Sequence, residues 1–127
     1  MKTTPFILLY VALGALGQLA LRMGARSLGA ATDRGASAAF FAAALGNPWI
    51  LTGLAAWVLS TAVWMLVLAR TEVSYAYGLS ALGYIVVPVL SYLALKEPLP
   101  PLRLLGMALV AAGVVCVFLS KGVARAP

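Results

Sequence analysis

Four long apolar runs, with most of the charge placed at their ends, constrain this chain more than any other feature. They fall at about residues 5–23, 48–69, 72–95 and 101–120. A membrane-crossing helix needs roughly 20 mostly apolar residues, and each run supplies that length. Together they use most of the 127 residues, so no soluble domain of useful size remains. The chain is 64% hydrophobic, has only 9 basic and 3 acidic residues, and has a mean hydropathy of +1.04. A soluble domain of this size needs far more polar surface. The expected fold is all-α: one integral-membrane domain, 1–127, built as a bundle of four transmembrane helices.

The formal net charge of +6 would suggest nucleic acid as a partner in a soluble protein. Here the basic residues flank apolar runs, so membrane lipids with anionic headgroups are the expected partner and nucleic acid is not. The sequence has no histidine, which excludes imidazole metal sites and histidine proton relays. It shows no metal-ligand cluster, no nucleophile–base pair and no phosphate-binding glycine loop, so neither an enzyme nor a cofactor is expected. Cys116, the single cysteine, sits in an apolar run and reads as a packing residue.

The span boundaries carry recognisable signals. Lys2 before the first run could mark a signal peptide, but the run is long for one, Gln18 interrupts it, and further spans follow. Asn47-Pro48-Trp49 opens the second run with an N-cap, a first-turn proline and an interfacial aromatic. The long first loop holds the Ala-rich stretch Ala36–Leu45, either a short interfacial helix bearing Phe40, Phe41 and Leu45 or an early start of span two. The other connections are short, so successive spans should be antiparallel neighbours. Lys2, Arg70, Lys121 and Arg125 lie on one side, and Arg22, Arg26, Arg34, Lys96 and Arg103 on the other. That balance gives almost no orientation bias. A chain inserting both ways would form antiparallel dimers.

Helical spacing groups the residues with chemistry. Gly14, Gly17, Gln18, Leu21 and Arg22 share a face of span one. Gln18 lies within the apolar region and needs hydrogen-bond partners there, either a substrate or a neighbouring helix. Arg22, one turn on, either snorkels to headgroups or clamps a phosphate through its guanidinium. Span two sets Gly53, Trp57, Ser60, Thr61 and Trp64 on one side, and span three does the same with Tyr77, Ser80, Tyr84 and Ser91. Such aromatic-hydroxyl stripes suit a cavity for an amphiphile, although packing and backbone bonding by the hydroxyls would also account for each residue singly. Pro88 should weaken or kink span three, with Gly83 adding freedom nearby, so both are candidate hinges. Gly106 and Gly113, two helical turns apart, form a small-residue ridge on span four and a candidate dimer interface. Glu97, beside Lys96 in the last turn, reads as an exposed charge or a helix-end contact. Glu72 near Arg70 reads as a surface pair.

Residues 75–120 carry a resemblance. Ala76-Tyr77, Pro88, Lys96-Glu97-Pro98-Leu99, Leu105-Gly106 and Ala112-Gly113-Val114 resemble the second half of an EamA-type repeat. The chain is thereby similar to the drug/metabolite transporter superfamily in its short four-span form. Gly106 and Gly113-Val114 are also similar to the dimerising motif of the small multidrug resistance proteins. With Gly17-Gln18, Asn47-Pro48-Trp49 and the long first loop added, the overall pattern resembles the small subunits of the aminoarabinose-phosphoundecaprenol flippase. The small multidrug proteins have a glutamate in mid-span one that binds protons and cationic drugs. This chain has Gly14 and Ala15 near that depth and no carboxylate.

The resemblance implies a transporter or flippase subunit in the inner (plasma) membrane, working as a dimer by alternating access. Its cargo would be a lipid-linked sugar, a polyprenyl phosphate or a similar amphiphile. The expected substrate-binding residues are Gln18, Arg22, Trp57, Thr61, Trp64, Tyr77, Ser80 and Tyr84. A homodimer is expected, with a heterodimer as the alternative. Two other readings stand beside it: a proton-coupled exporter of cationic drugs, and a non-transporting membrane subunit that assembles with a partner.

Overall fold

A computed structural model describes residues 3–29 and 37–120. Every regular element among the described residues is helical: α1 (Thr4–Leu28), α2 (Ala38–Leu45), α3 (Pro48–Leu68), α4 (Val73–Ser80), α5 (Gly83–Leu95) and α6 (Pro101–Ser120). Four segments are long and apolar enough to cross a membrane: α1, α3, α4 and α5 taken together, and α6. The protein is therefore an all-α, multi-pass membrane protein. Lys2, Arg34, Ala36, Lys121 and Arg125, used above for loop charge and the first-loop helix, lie outside the described residues.

The helix starts follow the local chemistry. The Asn47 side-chain oxygen accepts from the backbone N–H groups of Trp49 and Ile50 at 3.0 and 3.3 Å, capping α3. Its amide nitrogen donates to the Ser27 hydroxyl at 2.6 Å, so one side chain both starts α3 and ties it to α1. Ser37 caps α2 by accepting from Phe40 N–H. Gly46 and Asn47 separate α2 from α3, so the first-loop helix is an element of its own and not an early start of span two.

Two boundaries differ from the sequence expectation. Span one was expected to end near Met23, but α1 continues to Leu28. Gly24 does not stop it because a side chain there would collide with Ile50 of α3, so the glycine serves close packing rather than chain reversal. Span three was expected to bend at Pro88, yet the break lies at Ala81–Leu82, with Pro88 inside α5. There the backbone tightens to three-residue bonds, Leu82 N–H to Leu79 O, Tyr84 N–H to Ala81 O and Ile85 N–H to Leu82 O. Such short turns mark a local departure from α-helical pitch.

Helix α1 is the centre of the bundle, packed most extensively on α3 and also on α4 and α5, while α6 lies outside against α4 and α5. Without water to drive them together, helices in lipid associate through close van der Waals approach at small residues. Gly17, Gly24 and Gly53 supply that approach. A Cβ on Gly17 would sit 3.1 Å from the Gly53 carbonyl oxygen, and one on Gly53 would sit 2.9 Å from the Gly17 carbonyl oxygen. Near the start of α1, Ile7, Val67, Tyr75, Ala76 and Leu79 form the buried core, with Phe6, Trp64 and Val117 against it. Most other large apolar side chains are exposed on the outside, including Leu16, Val58, Met65, Leu102 and Leu109, as a lipid-facing surface requires.

Candidate functional site

Away from that core, α1, α3 and α5 together line a cleft of about 600 Å³. The size lies within the range of small-molecule sites. Its lining comes from the middle of α1 (Tyr10, Gly14, Gln18), the middle of α3 (Trp57, Ser60, Thr61) and the start of α5 (Gly83, Tyr84, Pro88), with Val11, Ala15 and Val87 between them. No aspartate or glutamate lines it. The helix break at Ala81–Leu82 separates the packed α4 from the α5 segment that forms this wall.

Of the residues expected to bind substrate, Gln18, Trp57, Thr61 and Tyr84 line the cleft, as do the two candidate hinges Gly83 and Pro88. Tyr84 is 74% exposed, so its phenol is open to a ligand. The Thr61 hydroxyl donates to the Trp57 carbonyl at 2.9 Å, which leaves its methyl and lone pairs to the cleft. Ser60, which the sequence set on the same stripe, is buried and donates to the Tyr10 carbonyl at 3.2 Å, joining α3 to α1.

Trp64, Tyr77 and Ser80 are placed elsewhere. Trp64 stacks tilted on Tyr10 with ring centroids 4.6 Å apart and meets Tyr77 edge-on at 5.2 Å. This aromatic group lies between the cleft and the buried core, touching the cleft through Tyr10 alone. The Ser80 hydroxyl donates to the Tyr77 carbonyl at 2.8 Å, a local bond at the end of α4. The stripe read on span three assumed one continuous helix. The break before Gly83 divides it, and of Tyr77, Ser80 and Tyr84 only Tyr84 lines the cleft.

Arg22 lies outside the cleft, in a second hollow of about 530 Å³ formed with Arg26, Glu97, Pro98, Leu99, Pro100 and Arg103. Arg22 Nε donates to Glu97 Oε1 at 2.9 Å, and Arg26 Nη2 donates to the same oxygen at 3.0 Å. Glu97 is thus the helix-end contact that one reading of the sequence allowed. The side chains are half exposed for the arginines and 27% exposed for Glu97, so each pair is worth about 0–1 kcal/mol. Arg103 Nη1 reaches the Pro98 carbonyl at a long 3.4 Å. Lys96 holds the turn in the left-handed region, at φ 53°, and Glu97 N–H returns to the Ser91 carbonyl. Sequence reasoning did not single out Arg26 or Arg103 as partners of this group. The one available signal was the position of Arg22 and Arg26 four residues apart on one helix face.

At Gly106 and Gly113, the glycines expected to mediate dimer contact, a Cβ would meet no other part of the protomer within 4 Å. Among the described residues no group of histidine, cysteine, aspartate and glutamate could hold a metal ion.

Comparison with known proteins finds sequence similarity to proteins named as membrane transport subunits. The chain is 36% identical over 72 residues to the probable 4-amino-4-deoxy-L-arabinose-phosphoundecaprenol flippase subunit ArnE of Pseudomonas savastanoi pv. phaseolicola, covering 57% of this chain and 63% of that protein. It is 38% identical over 74 residues to the similarly named subunit of Pseudomonas paraeruginosa, covering 58% and 64%. A third, from Pseudomonas fluorescens, is 31% identical over 71 residues, covering 56% and 62%. The match therefore spans a little under two thirds of the length of these relatives. No family profile matches the chain. No solved structure matches it.

Proposed function

We propose that the chain is a flippase or transporter subunit that moves an amphiphile across the inner membrane, and that the cleft between α1, α3 and α5 receives the polar end of its cargo. The cleft is the observation that carries this reading. It lies between helices in mid-span, where membrane transporters place their sites, and it combines the Gln18 amide with Trp57, Thr61 and Tyr84. Aromatic faces and hydrogen-bonding groups on one wall suit a sugar. A cleft of about 600 Å³ accommodates a headgroup but not a long isoprenoid chain, so the tail of a lipid-linked cargo would stay in the bilayer. The relatives, named as subunits of a flippase for a lipid-linked sugar, support the same class of cargo.

Proton-coupled export of cationic drugs has less support. It needs a titratable acid in the cleft, and the cleft lining has none. Alternating access would use the α4–α5 break, because Gly83, Tyr84 and Pro88 move as one wall against α1 and α3. A dimer would form through α6, whose ridge at Gly106 and Gly113 is open in the protomer. A second copy would make a homodimer, possible in parallel or antiparallel arrangement, and a related subunit would make a heterodimer.

Reconstitution into vesicles with a labelled polyprenyl-phosphate-linked sugar tests the reading. The expected result is flipping faster than in protein-free vesicles, reduced about tenfold by Trp57→Ala or Gln18→Ala through loss of a buried contact to cargo. Flipping at the protein-free rate, with the chain alone and with an added partner subunit, would sink it.

A further inference from the structure

We propose that Arg22, Arg26 and Arg103 form a binding site for a phosphoryl anion, and that the carboxylate of Glu97 is its resting occupant. This deepens the reading above, and it rests on that reading for the natural ligand.

The hollow holds three guanidinium groups and one carboxylate. Its charge is therefore unbalanced toward an added anion. The bonding is unbalanced in the same sense. Both ion-pair bonds converge on Oε1 of Glu97, whereas each guanidinium carries five N–H donors. Arg22 uses only its Nε, Arg26 only one Nη2 contact, and Arg103 only the long bond to the Pro98 carbonyl. The terminal nitrogens of Arg22 form no hydrogen bond among the described residues. A tetrahedral phosphoryl group offers more oxygens than one carboxylate, and guanidinium pairs with phosphate in a forked, two-bond geometry.

The resting pair is built to exchange. All its members are partly exposed, so the pair is weakly held and an incoming anion has access. Glu97 is presented from outside by a turn fixed between the left-handed Lys96 and Pro98. The Glu97 side chain already reaches solvent at 27% exposure, so losing its contact to the arginines returns the carboxylate to water.

Position links the site to the cleft. Gln18 lines the cleft and Arg22 lines the hollow, one turn apart on the same helix. That turn advances about 6 Å along α1. A phosphoryl group held by the arginines would therefore lie next to the cleft that receives the rest of a polar headgroup. The same chemistry could come from a lipid-linked phosphate or from the headgroup of a bulk anionic phospholipid.

Binding to the purified full chain in detergent tests this, with undecaprenyl phosphate, the phosphate-free undecaprenol and phosphatidylglycerol as probes. Arg26→Ala and Arg103→Ala should each weaken undecaprenyl phosphate about tenfold, the size of a lost charge-assisted bond, and leave undecaprenol unchanged. Glu97→Gln should strengthen the phosphate probe severalfold by removing the internal competitor. Arg26→Lys, which keeps the charge and loses the fork, should fall between wild type and Arg26→Ala. This conservative variant guards against a simple folding defect. Arginine-dependent binding of phosphatidylglycerol equal to that of undecaprenyl phosphate would uphold the anion site and assign it to bilayer headgroups. Unchanged phosphate affinity in both alanine variants, or weaker binding in Glu97→Gln, would overturn the proposal. Gln18→Ala and Trp57→Ala separate the two ideas. Loss of binding of a labelled polyprenyl-phosphate-linked sugar in these cleft variants, with the arginine variants silent, leaves the cleft reading standing and removes the anion site. The reverse pattern keeps the anion site and removes the cleft reading.

Discussion

Single atoms decide where this bundle tolerates change. A methyl group on Gly53 would sit 2.7 Å from Leu21 Cγ and 2.9 Å from the Gly17 carbonyl oxygen, and a backbone oxygen cannot yield as a side-chain tip can. Gly53→Ala should therefore destabilise the protein by about 1–3 kcal/mol, read as a lower melting temperature in detergent. Gly106→Ala and Gly113→Ala meet open space inside α6 and should instead raise the protomer's melting temperature slightly, by the roughly 1 kcal/mol each that alanine gains over glycine in a helix interior. Lys96 makes a second residue-scale case. A β-branched side chain is a poor fit to its left-handed backbone, so Lys96→Val should cost about 1–2 kcal/mol while Lys96→Gly costs none. Thermal unfolding of the two variants side by side checks this. Gln18, Trp57 and Thr61 were legible as cleft residues because three- and four-residue spacing alone puts them on inward faces. The pairing of Glu97 with Arg22 and Arg26 was not, because the partners are 75 and 71 residues apart and no local pattern connects them.

At the scale of the element, span three is the informative case. Its apolar length, its proline and its flanking charges were all visible in sequence, but the position of its break was not. Proline removes one N–H and fixes its own φ. Where the helix yields also depends on packing, and here α4 is anchored by Tyr75, Ala76 and Leu79 in the core while Gly78 lies against Val117 of α6. The break falls where that anchoring stops. Gly83 follows it, and a Cβ there would meet open space. Gly83→Ala should raise helix stability by about 1 kcal/mol and slow transport, because it stiffens the joint. A higher melting temperature with an unchanged flipping rate would show that the joint does not move. The glycine ridges teach a related lesson. Gly17 with Gly24 on α1 and Gly106 with Gly113 on α6 have the same seven-residue spacing, yet only the first pair is used inside the protomer. Spacing reports that a helix can be approached closely and does not report by which neighbour.

For the whole molecule, the open question of arrangement has a direct probe in Cys116, exposed on α6 three residues beyond Gly113. Two copies joined through the α6 ridge in parallel would bring their Cys116 residues together. In an antiparallel pair crossing between Gly106 and Gly113, the two cysteines would lie about 20 Å apart along the helix axis. Disulfides need Cα atoms within about 7 Å. Oxidative cross-linking of the unmodified protein in membranes should therefore give a covalent dimer in the parallel case and monomer in the antiparallel one. The near-even loop charges lead us to expect monomer, and an α6-dependent covalent dimer would refute that expectation. Sequence made the four spans, their order and their lipid-facing character plain, since these follow from composition and length. How the spans pair around a central α1 depends on side-chain fit and was beyond its reach.

The bond from Glu97 back to α1 also bears on how the chain is made. Arg22 and Arg26 enter the membrane boundary with the first span, long before their acidic partner has been synthesised. They wait uncompensated until the last turn arrives, and that turn can meet them only on the face where they already stand. Whichever way the first span inserts, the parity of the spans returns the final turn to the same side. The ion pair is too weak to steer that return, and it registers the arrival of the last hairpin beside the first span.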